Sequence, residues 1–163
     1  MTFPPTWIQN FPLPPSVNNM LASVNGRLIK TGSHKKYRQD CLNWSVINHK
    51  TFWPIRNELL GIQTQMEREG KIFALSIDFL FVFHVEQLIG KKGQLKALDA
   101  DNRLKPARDA LAACLTIDDK HFVSGYYEAV TTSALGGECC IIRIRQTNLR
   151  DVSQIEAMFP RAT

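Results

Sequence analysis

Cysteine is scarce in this chain of 163 residues, and the four present are Cys41, Cys114, Cys139 and Cys140. They form no CxxC pair and no Cys/His zinc spacing. Adjacent cysteines such as Cys139 and Cys140 rarely bridge. A disulfide framework and a structural zinc site are therefore excluded, and the thiols read as reduced, small apolar residues. No GxxxxGK[ST] and no GxGxxG occurs, so no nucleotide cofactor is expected. His34, His49, His84 and His121 share no spacing that suggests ligation or a triad. Ser33, Ser45 and Ser124 lack the surroundings of an activated nucleophile. Long apolar runs are missing too: the most apolar segment, Ile72 to Val85, is interrupted by Asp78 and is too short to cross a bilayer. Met1-Thr2-Phe3-Pro4-Pro5 has neither the basic start nor the apolar stretch of a signal peptide. Together these absences predict a soluble intracellular protein without a membrane partner.

What is present is basic. Net charge is +5, with 20 Lys and Arg against 15 Asp and Glu. An anionic partner is favoured, although a lysine excess kept for solubility gives the same number. The length predicts one domain over residues 1–163 with room for a sizeable core. Trp7 to Leu13 reads as a first strand, broken by Pro14-Pro15. Asn25-Gly26 predicts a two-residue hairpin turn within 22–30. A helix is expected from His34 to Trp53, ended by Pro54, with Tyr37, Cys41, Trp44 and Asn48 near one face. Residues 57–70 fit a helix or a loop. Phe73 to Phe83 is apolar enough for a central strand covered on both faces. Glu86 to Ala97 reads as a basic loop. A helix then runs to Leu115 with Leu104, Ala107, Leu111 and Leu115 in one stripe; Pro106 is expected to cost little if the helix starts near Asn102, because first-turn N–H groups have no intrahelical partner. Phe122 to Thr132 and Cys139 to Gln146 read as strands, and Asp151 to Phe159 as a short helix. The fold class is α/β (α+β).

The chemistry concentrates in Asp99-Ala100-Asp101-Asn102-Arg103-Leu104-Lys105. In an extended segment Asp99 and Asp101 point to the same face, where two carboxylates can share a hard cation. Asp101 also stands where a helix would be capped. Asp118-Asp119 follow the helix, and an αβ turn beside a βα turn returns one of that pair to the first two. Taken alone, Asp-x-Asp is more often a turn or cap, and Asp-Asp a solvated turn. Lys105 lies one helical turn after Asp101. A cation there offsets charge developing on a phosphoryl group, a role worth about 10²–10³ in rate. Arg103 and Arg108 are better placed for backbone phosphates. Lys91, Lys92, Lys96 and Lys120 are further candidates for DNA contact, and a solvated basic loop accounts equally well for the first three. Asp109 is expected to face solvent or hold a neighbouring loop.

These residues resemble the RusA family of Holliday junction resolvases. The resemblance has three parts: Phe11-Pro12-Leu13-Pro14-Pro15-Ser16-Val17-Asn18-Asn19; the run from Asp99 to Leu111, similar to the family's D-x-D-N-x-x-K-x-x-x-D-A-L; and Ile117-Asp118-Asp119 before a strand. It covers about residues 7–20 and 98–130. Where the family often carries an arginine run, this chain has Lys96-Ala97-Leu98. The resemblance implies a small mixed β-sheet flanked by helices, in a symmetric homodimer that cuts four-way DNA junctions with magnesium. Asp99, Asp101 and Asp119 match the family's metal-binding catalytic aspartates, and Lys105 its catalytic lysine. The setting implied is the cytoplasm of a bacterial or phage-infected cell. Two other readings stay open: a non-catalytic junction-binding protein of the same fold, and a metal-dependent hydrolase acting on other branched DNA or another phosphoester.

Overall fold

The apolar run at 73–83 organises the architecture. In the computed structural model it lies within and just before the longest strand, buried on both faces along nearly all its length. The structure describes residues 3–15, 21–24, 27–30, 32–94, 101–132 and 137–149, with the backbone alone at 21–24, 27–30 and 101. In chain order the elements are β1 (Thr6–Phe11), β2 (Leu21–Val24), β3 (Arg27–Lys30), α1 (Gly32–Ile47), α2 (His49–Arg68), β4 (Leu75–His84), α3 (Val85–Leu88), α4 (Asp101–Leu115), a 3-10 turn (Asp119–His121), β5 (Phe122–Ser124), β6 (Tyr127–Thr132) and β7 (Cys139–Gln146). Among the described residues this is a mixed α+β fold: one small mixed sheet, a separate antiparallel β2–β3 ribbon, and four helices.

β4 has neighbours on both edges. β7 pairs with it antiparallel on one side, and β5 and β6 pair parallel on the other; β1 joins antiparallel to β7. Alternation then sorts the side chains. Leu75, Ile77, Phe79, Phe81 and Phe83 of β4 share a core with Ile142 and Ile144 of β7, and α1, α2 and α4 close that core. The other face of the same strands carries Ser76, Asp78, Arg143 and Arg145. In β1, Asn10 takes a left-handed conformation (φ 54°) where the pairing register shifts. That extra residue lets both Ile8 and Phe11 reach the core although three positions separate them.

Several expectations change. The first helix stops at Ile47, not Trp53. Asn48 ends it by donating its backbone N–H and its side-chain amide to the Trp44 carbonyl, each at 2.9 Å. A second helix starts at once and carries Pro54 inside it. Pro54 and Lys50, the residue whose carbonyl loses its helical donor, are both exposed. Residues 57–70 are helical to Arg68. The Glu86–Ala97 loop opens with a helical turn, α3, and its residues 95–97 lie outside the described residues. The expected strand 122–132 is two strands, broken at Gly125. A Cβ there would meet the Ile77 carbonyl oxygen at 1.8 Å, so only glycine lets the chain pass this close to β4. The hairpin turn residues 25–26 and the helix expected at 151–159 also lie outside the described residues.

The cysteines behave as apolar groups. All four are free, and Cys41, Cys114 and Cys140 are buried. Burial pushes the Cys41 thiol up to about 12 and Cys114 up to about 11, which leaves neither reactive at neutral pH. No helix among the described residues is long and apolar enough to cross a membrane.

Candidate functional site

α4 forms where its apolar stripe predicts. Ala107, Leu111 and Leu115 are buried and Leu104 is packed against them. The helix starts at Asp101, which puts Pro106 in the second turn and not the first. One intrahelical bond, to the Asn102 carbonyl, is therefore forgone. At its other end Thr116 adopts a left-handed conformation (φ 56°). Thr116 N–H donates to the Ala113 carbonyl at 3.3 Å and Ile117 N–H to that of Ala112 at 3.1 Å. This is a Schellman turn with a β-branched residue in the position that favours glycine. Arg56 donates to the Thr116 hydroxyl at 3.0 Å, and Ile117 is buried just beyond.

The Schellman turn reverses the chain along the flank of α4. Arg108 clamps the returning segment: its guanidinium donates to the Phe122 carbonyl at 2.6 Å and to the Asp119 carbonyl at 3.4 Å. The Asp119 carbonyl is thus held against α4 at Arg108. A cleft of about 600 Å³ opens there, walled by His34, Tyr37 and Arg38 of α1, by Lys105 and Asp109 of α4, and by Asp118 and Asp119.

The two adjacent aspartates are used differently. Asp118 accepts from the Lys120 N–H at 3.0 Å and pairs with its ammonium at 3.1 Å. Those bonds cap the 3-10 turn and hold the Asp118 carboxyl below the usual carboxylate range, the backbone N–H contributing most. The Asp119 carboxylate accepts no hydrogen bond and forms no ion pair among the described residues. Lys105, its side chain 77 % exposed, pairs with Asp109 at 3.3 Å. Asp109, expected to face solvent or hold a neighbouring loop, pairs with Lys105 on the cleft wall.

The remaining expected site residues divide. Asp99 and Lys96 lie outside the described residues, as does the side chain of Asp101; the Asp101 backbone is the first residue of α4. Among the described residues no group of three or more His, Cys, Asp or Glu is arranged to hold a metal ion. Lys91 and Lys92 sit on an exposed turn, where Lys92 N–H donates to the Gln94 side chain at 3.1 Å. Arg103 and Arg108 both have partners within the protein. Arg103 turns inward, donates to the Pro14 carbonyl and lies over the Phe83 ring at 5.1 Å. Arg108 is the clamp just described and also approaches the Phe122 ring at 6.0 Å. Both heads find carbonyls that sequence spacing cannot reveal.

A second charged cluster had no sequence signal. Asp78, buried in β4, accepts from Arg143 Nε at 2.7 Å, from Arg145 Nη2 at 3.1 and 3.2 Å, and from the Tyr126 N–H at 3.1 Å. Asp78 and Arg143 are direct cross-strand partners 65 residues apart in the chain. His34, Tyr37 and Arg38 of the cleft were equally unmarked. No protein-family model matches the chain, and no curated protein matches it.

Proposed function

We propose that the chain is a magnesium-dependent, structure-selective DNA endonuclease of the RusA type, hydrolysing phosphodiesters at four-way junctions. One observation carries the reading: the Asp119 carboxylate lines the same open cleft as Lys105, and no donor among the described residues satisfies it. An anionic oxygen pair met by no described donor is a poor structural device and a good cation ligand. Asp118, by contrast, is consumed as a cap.

The donor chemistry fits magnesium. Exposed carboxylates are hard oxygen ligands, and two or three suffice because the ion keeps several waters. Asp99, Asp101 and Asp119 would hold it, and when bound it would activate water and offset charge on the phosphoryl oxygens. The protein's own part is positional. α4 begins at Asp101 and carries Lys105 one turn later, and the Arg108 clamp holds the Asp119 backbone against the same helix. Lys105 is the group we assign to the charge developing on the phosphate, with Asp109 holding its ammonium in the cleft. Junction cleavage needs two cuts related by a two-fold axis, which a symmetric homodimer supplies. The cytoplasm of a bacterial or phage-infected cell is where such DNA would be met.

Cleavage of a mobile four-way junction against linear duplex, with magnesium titrated, tests this. Asp101→Asn should abolish cutting while junction binding is kept or improved, because a negative charge leaves the site. Cutting at the parental rate by that variant would remove Asp101 from the assignment. Binding without cleavage by the parent, with or without magnesium, would favour the non-catalytic reading.

A further inference from the structure

The charges that line the cleft pair off with two exceptions. Lys105 is held by Asp109 at 3.3 Å, and Asp118 by Lys120 at 3.1 Å. Among the described residues this leaves one unpaired anion on the cleft wall, Asp119, and one unpaired cation, Arg38. Arg38 is exposed, and its guanidinium makes no hydrogen bond or ion pair among the described residues. The two line the same cleft and do not neutralise each other. Its position is not loose: the neighbouring Tyr37 is buried and donates its hydroxyl to the Pro12 carbonyl at 3.3 Å, which fixes the rotation of α1. Arg38 also lies close enough to α4 to act electrostatically on Cys114, partly opposing the burial that raises that thiol. Lys35, exposed and three residues earlier, continues the same side of the helix outward.

An opposed, unneutralised pair across an open gap suits a ligand with both signs: a metal cation toward Asp119 and a phosphate toward Arg38. We infer that Arg38, on the wall of α1, is the cation that grips a backbone phosphate over the cleft, whereas Arg103 and Arg108 already donate to main-chain carbonyls. A guanidinium suits it, because its planar fork meets two phosphate oxygens at once. The inference rests on the nuclease reading for the identity of the ligand, a nucleic-acid phosphodiester.

Binding measured without cleavage separates the two. Fluorescence anisotropy of the full chain on a labelled four-way junction and on linear duplex, in EDTA across a salt series, is the readout. Loss of one phosphate contact makes the slope of log K against log[salt] shallower by about 0.9 and weakens binding about eightfold at 0.1 M salt. Arg38→Ala should show this on both DNAs, with thermal stability unchanged because the side chain is exposed and unbonded. Arg38→Lys should restore the slope, keeping the charge without the fork. If Arg38→Ala binds with parental affinity and slope, Arg38 is not the clamp, while the nuclease reading stands. A parent chain that binds neither DNA overturns both.

Discussion

Asp78 and Asp119 are the same residue put to opposite uses. Asp78 is buried, and both its oxygens are filled by donors from Arg143, Arg145 and Tyr126. Asp119 stands on a cleft wall with neither oxygen occupied by a described residue. A carboxylate whose lone pairs are met by protein holds strands together. One left unmet is available to an ion. Arginines divide the same way: Arg143, Arg145, Arg103 and Arg108 serve the fold, and Arg38 does not. Function is therefore sought where the protein has declined to satisfy its own charges.

The sharpest way to break this contrast is to exchange each carboxylate and read both activity and stability. Asp119→Asn should reduce junction cleavage by more than about 10²-fold, beyond the loss typical of an outer-shell partner, while the melting temperature stays at the parental value. Asp78→Ala should do the reverse. Breaking a buried ion pair costs about 3–5 kcal/mol, and the arginine heads here keep about a third of their surface in water, so about 2–3 kcal/mol is expected in urea unfolding. Equal effects of the two substitutions on stability would erase the distinction.

The turn that delivers Asp119 can be sharpened. Thr116→Gly removes a β-branched residue from a left-handed position and should stabilise by about 1 kcal/mol, less whatever the lost Arg56 hydrogen bond contributed. For a chain of this size that raises the melting temperature by about 2–4 °C. A fall would mean that the Arg56 bond outweighs the strain. The smallest effect concerns Asp118. Its folded carboxyl titrates below its unfolded value, so its stabilising contribution is complete above about pH 4 and is lost as pH falls through the lowered folded value. Carbon-detected NMR titration should place Asp118 below a free aspartate. In Lys120→Ala the lowering should shrink but not vanish, since the backbone N–H of residue 120 remains.

Legibility followed sequence distance. β4 announced itself because burial on both faces leaves a continuous apolar run. The stripe of α4 was plain because its period is local. Pro54 misled because a proline on an exposed face in a second turn is tolerable, a circumstance known only once the helix start at His49 is seen. The break at Gly125 depends on the Ile77 carbonyl, 48 residues away. Within the cleft, residue types were readable at Lys105, Asp118 and Asp119, but not which aspartate would be occupied. Arg103 and Arg108 carried the same charge in the sequence as any phosphate contact. Their partners, Pro14, Phe83 and Phe122, belong to other elements.

By itself, then, the order of residues determined the central strand, the α4 stripe and the acids and lysine gathered around positions 99 to 119, since each depends on neighbours within a few turns or pleats. Only the tertiary structure decided which charged groups were consumed and which were left open. A charge is neutralised by whatever lies within a few ångströms, and in this molecule those neighbours come from strands and helices far apart along the chain.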